Sequence, residues 1–270
     1  MADLETRMQL SCFKAYDIRA KLGADLNEDI AYRIGRSVAE TLQVALVVIG
    51  FDARENSPML AEAVARGVRA AGANVLDIGL SGTEEMYWAV TSQKACAGIE
   101  VTASHNPIDY NGMKIVKRGS EPLSEEEFHA IQHLAESGRF SANLREGRVL
   151  PRAREARRAY VEKLMRFITP KALKPLKIVV NAGNGAAGPS FDALEEALTA
   201  SGASADFICV HHEPDAAFPN GIPNPLPQKT TSTRQMSCVV REQTLAWPLM
   251  ATLIAASSLT GRVTLCQVNM

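Results

Sequence analysis

Residues 95–107 read ACAGIEVTASHNP, a short apolar run that leads into a polar loop. The run 95–101 has the length and the bounded apolar character of a buried β-strand. Similar runs occur at 45–49 (ALVVI) and 75–80 (VLDIGL), and each is followed by residues with helical spacing. This alternation of strand and helix predicts a layered α/β fold.

Beyond residue 120 the alternation of strands and helices continues in a shorter form. Ser124 and Glu127 form a capping box, which predicts a helix that reaches about Ser137. Residues 138–156 are charged and without period, so we place a domain boundary there and expect a first domain at 1–150. A strand at 176–181, a helix at 189–201 and a strand at 205–210 then predict the start of a second α/β domain, truncated, at 155–226.

Ser104 stands directly after the predicted strand 95–101. Ligands of α/β proteins bind outside the carboxyl ends of strands, where a rigid sheet supports the loop. The hydroxyl of Ser104 is therefore a candidate reactive group, with the imidazole of His105 beside it.

Five segments in order make the sequence resemble the α-D-phosphohexomutase family, of which it is closest to the bacterial phosphomannomutases. They are AYDIR at 15–19, GFDAR at 50–54, TASHNP at 102–107, NAGNGAAGP at 181–189 and PNGIPNP at 219–225. The resemblance covers residues 11 to about 226. It implies a three-layer first domain with a mixed sheet and a second, similar domain.

The resemblance also implies roles for individual residues. Ser104 would carry a phosphoryl group, donate it to a hexose monophosphate and recover one from the resulting bisphosphate. Arg19 and Lys114 would lie near that group, His105 would assist proton transfer or oxygen contacts, and Asn106 would brace the loop. Mg²⁺ would be the cofactor, held through the phosphate of Ser104.

The substrate expected from the resemblance is a hexose phosphate, with mannose 6-phosphate converted to mannose 1-phosphate for GDP-mannose supply. Phosphoglucomutase or phosphoglucosamine mutase activity is the alternative within enzymes. A remnant without catalytic activity is the alternative from a different class. Asp52 and Arg54, in the motif at 50–54, are expected to shape a loop as a structural pair.

Composition excludes two classes of partner. The 270 residues carry 29 basic and 30 acidic side chains, a formal net charge of -1, so no excess of positive charge recruits nucleic acid or an anionic membrane. No apolar run approaches the ~20 residues that span a bilayer, and the first ten residues lack the pattern of a signal peptide. We therefore expect a cytoplasmic protein; the sequence leaves its oligomeric state open.

Residues 227–270 differ from the rest of the chain. They hold one acidic residue, Glu242, against four basic ones, and show no amphipathic period. Residues 250–260 (MATLIAASSLT) permit codons that, read one base upstream, encode DGDFDRCFLFD. Relatives carry an Asp-Gly-Asp-x-Asp-Arg loop that holds Mg²⁺. We therefore expect 227–270 to be a non-homologous, out-of-frame tail that is poorly ordered, and the chain to have little or no mutase activity.

Overall fold

The computed structural model describes residues 8–142, 145–173, 175 and 177–224, and the backbone of 244–248. The chain divides into two compact units, Met1–Ala156 and Arg157–Met270. None of the described helices is long and apolar enough to cross a membrane.

The described residues of the first unit form six strands and four complete α-helices. The strands are β1 (Ile18–Lys21), β2 (Leu46–Phe51), β3 (Asn74–Leu80), β4 (Ala97–Val101), β5 (Tyr110–Lys117) and β6 (Val149–Pro151). The helices are α1 (Glu28–Thr41), α2 (Ser57–Ala70), α3 (Thr83–Ser92) and α4 (Glu125–Ser137). Helix α5 (Ala153–Met165) begins in the first unit and ends in the second.

The six strands form one mixed sheet in the order β1-β5-β4-β2-β3-β6. β2 is parallel to β3 and β4, and β3 is parallel to β6. β5 is antiparallel to both of its neighbours, β1 and β4. The mixed sheet between helices confirms the α/β fold expected from the sequence.

The two faces of the sheet are covered by different helices. The larger apolar core lies beneath α1, α2 and α4 and includes Ile99, Val101 and Met113 from the sheet. The smaller core lies beneath α3 and includes Val48 and Val116. Neighbouring side chains along a strand point to opposite faces, so residues 112, 114 and 116 of β5 share the α3 face.

The predicted start and end of helix α4 agree with the structure. Ser124 caps α4: its hydroxyl accepts the Glu127 N–H at 3.1 Å, and the Glu127 carboxylate accepts the Ser124 N–H at 2.7 Å. The helix ends at Ser137, as predicted, with Gly138 in the left-handed conformation.

Helices α1 and α2 cross at two glycines. A β-carbon added to Gly35 would overlap the backbone of Val64, and one added to Gly67 would overlap the carbonyl oxygen of Tyr32. The absence of side chains at these two positions therefore sets the distance between the helices.

The second unit contains α6 (Ala187–Ala200) and a parallel sheet in the order β8-β7-β9. Its strands are β7 (Lys177–Asn181), β8 (Asp206–Val210) and β9 (Thr244–Pro248). Of the segment expected to be an unordered tail, 244–248 forms a strand whose backbone pairs with β7. The segment at 250–260, which we expect to be out of frame, lies outside the described residues.

Glu100 of β4 is a carboxyl group in the α3 core, with its side chain only 1% exposed. Both of its carboxyl oxygens lie 3.2 Å from the Ser81 hydroxyl oxygen, which lies 3.1 Å from the carbonyl oxygen of Gly79. If Glu100 keeps its proton, it donates to Ser81 and Ser81 donates to Gly79, so both hydrogen bonds form. Burial raises the pKa of Glu100 well above the ordinary value, and the charges of nearby Asp52 and Glu85 add to the effect.

Glu100→Gln is expected to remove a loss of stability at rising pH. The folded chain holds this proton while the unfolded chain releases it above a pH of about 4.3. Unfolding of the wild type is therefore favoured as pH rises above that value, by about 1.4 kcal/mol per pH unit until the folded carboxyl also ionises. Glutamine keeps the shape and a donor without ionising.

Urea unfolding of both proteins between pH 4.5 and 8 measures this difference. Glu62→Gln, at an exposed position of α2, is the matched control, and its difference in stability from the wild type should stay constant over this pH range. A stability difference between wild type and Glu100→Gln that stays constant over this range would contradict the protonated carboxyl.

Candidate active site

The candidate site lies at one edge of the first unit's sheet. Parallel strands β2 and β4 are neighbours, and both end at this edge. The chain leaves β2 into the loop 52–56 and leaves β4 into the loop 102–109, which returns through β5. The sequence motifs GFDAR and TASHNP are thereby brought next to each other.

Ser104 adopts a backbone conformation with a φ of 52°. This left-handed region is disfavoured for residues other than glycine, and such residues concentrate at functional sites. Its N–H donates to the Thr102 hydroxyl oxygen at 3.0 Å. Its own hydroxyl oxygen lies 3.3 Å from Nδ1 of His105. The structure therefore brings the two sequence-predicted residues together within hydrogen-bonding distance.

Arg19 reaches the same loop from β1. Its Nη1 donates to the carbonyl oxygen of Ala103 at 3.2 Å, and its Nη2 forms an ion pair with Asp17 at 2.6 Å. Its Nε is buried and forms no hydrogen bond with any described residue. Arg19 thus sits one residue from Ser104 with donor capacity remaining.

Lys114 is placed by strand register. Arg19 lies opposite Gly112, and Glu100 lies opposite Lys114. Directly opposed residues share a face, and so do Gly112 and Lys114, which lie two residues apart on β5. Arg19 and Lys114 therefore stand on the same face of the sheet as diagonal neighbours, and residues in such positions are about 7–8 Å apart. Lys114 forms no hydrogen bond or ion pair within the described part of the chain.

Asn106 stabilises the loop that carries Ser104. Its backbone N–H and its side-chain Nδ2 both donate to the carbonyl oxygen of Ala103, each at 3.0 Å. This carbonyl also accepts from Arg19, so one oxygen joins the loop's turn to a cation of the neighbouring strand.

Arg54 lies beneath the loop and is 3% exposed. Its two Nη atoms donate to four backbone carbonyl oxygens, at distances of 3.0, 2.6, 2.8 and 3.1 Å, which belong to Ser104, Asn106, Pro107 and Tyr110. Its Nε lies 3.4 Å from the Asp52 carboxylate. The sequence motif suggested a pair that shapes a loop, but the four carbonyl contacts have no signature in the sequence.

Asp52 connects this arginine to the serine. Its Oδ1 accepts the Arg54 N–H at 3.0 Å and the Ser57 hydroxyl at 2.6 Å. Its Oδ2 accepts the Thr102 hydroxyl at 2.7 Å. Burial lowers the pKa of Arg54, and the Asp52 carboxylate acts in the opposite direction.

The glycine-rich segment of the second unit forms a tight turn between β7 and α6. Gly183 and Asn184 both have positive φ, 58° each. The Asn184 side chain donates to the carbonyl oxygen of Glu213 at 2.9 Å and accepts from Asn220 at 2.8 Å. The turn therefore fastens the segment after β8.

The described residues do not supply a ligand set for Mg²⁺. That ion needs several oxygen ligands in near-octahedral array. No group of three or more acidic, histidine or cysteine side chains is placed to hold a metal in the described ranges. The carboxylates of Asp17 and Asp52 are each ion-paired with an arginine.

Two family models match the chain. The phosphoglucomutase/phosphomannomutase α/β/α domain I matches residues 11–142, and domain II of the same family matches residues 158–253. The two matches together cover most of the chain.

Curated relatives include the phosphomannomutases of Salmonella typhimurium strain LT2 and Escherichia coli K12. The first is 52% identical over 229 residues and the second 51% over 228, in each case 84% of this chain and 50% of the relative. The chain therefore spans about half the length of the curated relatives that it matches.

A solved structure from Burkholderia thailandensis, described as a phosphoglucomutase/phosphomannomutase family protein, has the same fold. It superposes with a TM-score of 0.74 at 33% identity, covering 83% of this chain and 49% of that one.

Proposed function

The chain belongs to the phosphoglucomutase/phosphomannomutase family, and from this premise we propose that Ser104 carries the phosphoryl group of a mannose phosphate mutase. The reaction is the interconversion of mannose 6-phosphate and mannose 1-phosphate through a hexose bisphosphate. The observation that carries the proposal is the left-handed Ser104 at the sheet edge, with His105 at 3.3 Å and Arg19 fastened to the adjacent carbonyl.

The arrangement suits phosphoryl transfer. That chemistry asks the protein mainly to position the group and to stabilise its charge. Arg19 retains an unpaired buried Nε, and Lys114 stands on the same face of the sheet. These two cations are the proposed partners of the phosphoryl oxygens.

The proposed step conserves atoms and charge. The bond from phosphorus to the Ser104 oxygen breaks while a bond from phosphorus to a hydroxyl oxygen of the sugar forms. The proton of that sugar hydroxyl is transferred to the Ser104 oxygen, and His105 relays it. The reverse step regenerates the phosphoserine from the bisphosphate.

The substrate is proposed by similarity to the two enterobacterial phosphomannomutases, each about half identical to this chain over the matched residues. Mg²⁺ is the family expectation, and an oxygen of the Ser104 phosphate would be one of its ligands. Because the described residues lack the remaining ligands, we assign no step to the metal and expect little or no complete mutase turnover from this chain.

Incubation of the chain with mannose 1,6-bisphosphate tests the proposal. Intact mass should show one added phosphoryl group, which a later addition of mannose 6-phosphate should remove. A coupled mutase assay on the same samples should show little or no turnover. Absence of any added mass would refute the proposed role of Ser104, and faster uptake from glucose 1,6-bisphosphate would favour the glucose alternative.

Arg19→Gln is expected to slow phosphoryl uptake by about 100-fold, the size of effect found when one donor to a developing charge is removed. The shorter, uncharged glutamine loses the charge and cannot place a donor where the Arg19 guanidinium does. Lys21→Gln is the matched control on the same strand and face. The ion pair of Lys21 with Asp109 is exposed and contributes little to stability. Its loss should therefore change the rate of phosphoryl uptake by less than about threefold. Equal rates for wild type and Arg19→Gln would exclude Arg19 from the phosphoryl site.

A further inference from the structure

The terminal N–H groups of Arg54 are occupied by the backbone of residues 104–110. Four carbonyl oxygens of residues 104–110 accept its terminal N–H groups, and its Nε faces Asp52. A guanidinium offers five donors in a fixed plane. With its terminal donors occupied and its side chain buried, Arg54 is not placed to contact a substrate phosphate itself.

The same ion pair holds both polar backbone groups of Ser104. Its carbonyl oxygen accepts from Arg54 at 3.0 Å. Its N–H donates to the Thr102 hydroxyl, and that hydroxyl donates to Asp52 at 2.7 Å. The two groups that flank φ and ψ of this residue are thus fixed from one side of the loop.

The held conformation is one that serine does not prefer. A φ of 52° is adopted by few residues other than glycine, and such a conformation persists where the surrounding structure over-determines it. The hydrogen bonds from Arg54 and through Thr102 to Asp52 supply that restraint.

We propose that the Asp52–Arg54 ion pair is a positioning unit that keeps Ser104 in its left-handed conformation for phosphoryl transfer. The inference rests on the proposed function. It extends that function because the reactive oxygen is set by residues that touch neither the sugar nor the phosphate. A displacement of about 1 Å at a reacting group can reduce a rate by about 100-fold.

The proposal predicts that lysine cannot replace arginine at position 54. Lysine at position 54 retains the charge but offers three donors at a single point, so it can replace at most part of the four carbonyl contacts. Arg54→Lys should therefore loosen the loop even where the chain stays folded.

The test compares Arg54→Lys and Thr102→Val with the wild type in the full chain. Thr102→Val has nearly the same shape and removes only the hydrogen bonds from Ser104 to Asp52. It keeps the test decisive if Arg54→Lys fails to fold. Arg36→Lys is the control, since Arg36 also binds a carboxylate and a backbone carbonyl of the first unit, in Glu40 and Ser141.

Two measurements are made on each variant. Amide hydrogen exchange of a peptide covering 102–112 should become at least about tenfold faster in Arg54→Lys and Thr102→Val, with helices α1 and α2 still protected. Phosphoryl uptake from a saturating bisphosphate should fall by about 100-fold, with the half-saturating concentration unchanged. Arg36→Lys should alter neither.

Each outcome bears on the proposal. Unchanged exchange at 102–112 in either test variant, or wild-type uptake despite faster exchange, would overturn the positioning role. A loss of protection across the whole first unit in both test variants would reduce the pair to a fold stabiliser and would also overturn it. If the wild type takes up no phosphoryl group, the proposed function fails. The exchange data then show separately whether the ion pair holds the loop.

Discussion

Ser104→Ala is expected to take up no phosphoryl group from a hexose bisphosphate, whereas the wild type takes up one. Alanine removes the only oxygen that we assign to the transfer and leaves the loop contacts of Arg54 and Asn106 in place. Intact mass after incubation gives the result. Ser11→Ala, at an exposed serine bonded to Asp25, is the control and should be phosphorylated like the wild type.

Ser104→Gly and Ser104→Thr distinguish the effect of the backbone conformation from the effect of the hydroxyl group. Glycine adopts a positive φ at no steric cost, so Ser104→Gly should be more stable than Ser104→Ala by about 1 kcal/mol. Threonine keeps a hydroxyl but is branched at Cβ, which makes a positive φ an outlier, and its uptake should fall steeply. Equal stability of the Gly and Ala variants would show that residue 104 does not adopt the left-handed conformation in solution.

Gly67→Ala is expected to destabilise the first unit by about 3 kcal/mol or more, the upper part of the range for overpacked cores. The added methyl group would overlap the carbonyl oxygen of Tyr32, an atom of the backbone of α1 that cannot turn aside. Alanine's better helix propensity recovers only about 1 kcal/mol. Urea unfolding followed by circular dichroism measures the change.

Gly82→Ala is the control for this prediction. Gly82 precedes α3, and a β-carbon there would meet only the Glu84 carboxylate, at 3.7 Å, which is ordinary contact. Because Gly82 is the N-cap of α3 and alanine caps a helix less well, its effect should stay within about 1 kcal/mol. If Gly67→Ala proved equally mild, α1 and α2 would be able to separate, and the two glycines would not set their distance.

The sequence predicts those parts of the fold that depend on local patterns. Strand β4 follows from its apolar run, and the start of α4 follows from Ser124 and Glu127 three residues later. Helix α1 was not predicted, although its signal is present: Asn27 caps it by accepting the Ile30 N–H at 3.1 Å, and Ile34 and Val38 continue the buried stripe.

Strand β5 could not be predicted in the same way. It reads YNGMKIVK, and its apolar period is interrupted by Asn111 and Gly112. Both are buried by long-range contacts: Asn111 donates to the Ser57 hydroxyl, and Gly112 lies against the backbone of Ile18. Such partners are distant in sequence, so no local period reports them.

In the candidate site, too, some contacts follow from the local sequence and others do not. Ser104 and His105 are adjacent in the chain, and their proximity follows from the motif. That Arg54 binds the carbonyls of residues 50 or more positions away follows only from the pairing of β2 with β4.

The register of β5 with its neighbours limits how this protein can change in length. One codon inserted between Gly112 and Lys114 would turn the lysine toward the opposite side, among Ile99, Val101 and the helices above them. A charged group placed against this apolar core is unfavourable unless it finds a partner. Substitutions can therefore accumulate along β5, whereas insertions and deletions of an odd number of residues inside it would destroy the charge pattern around Ser104.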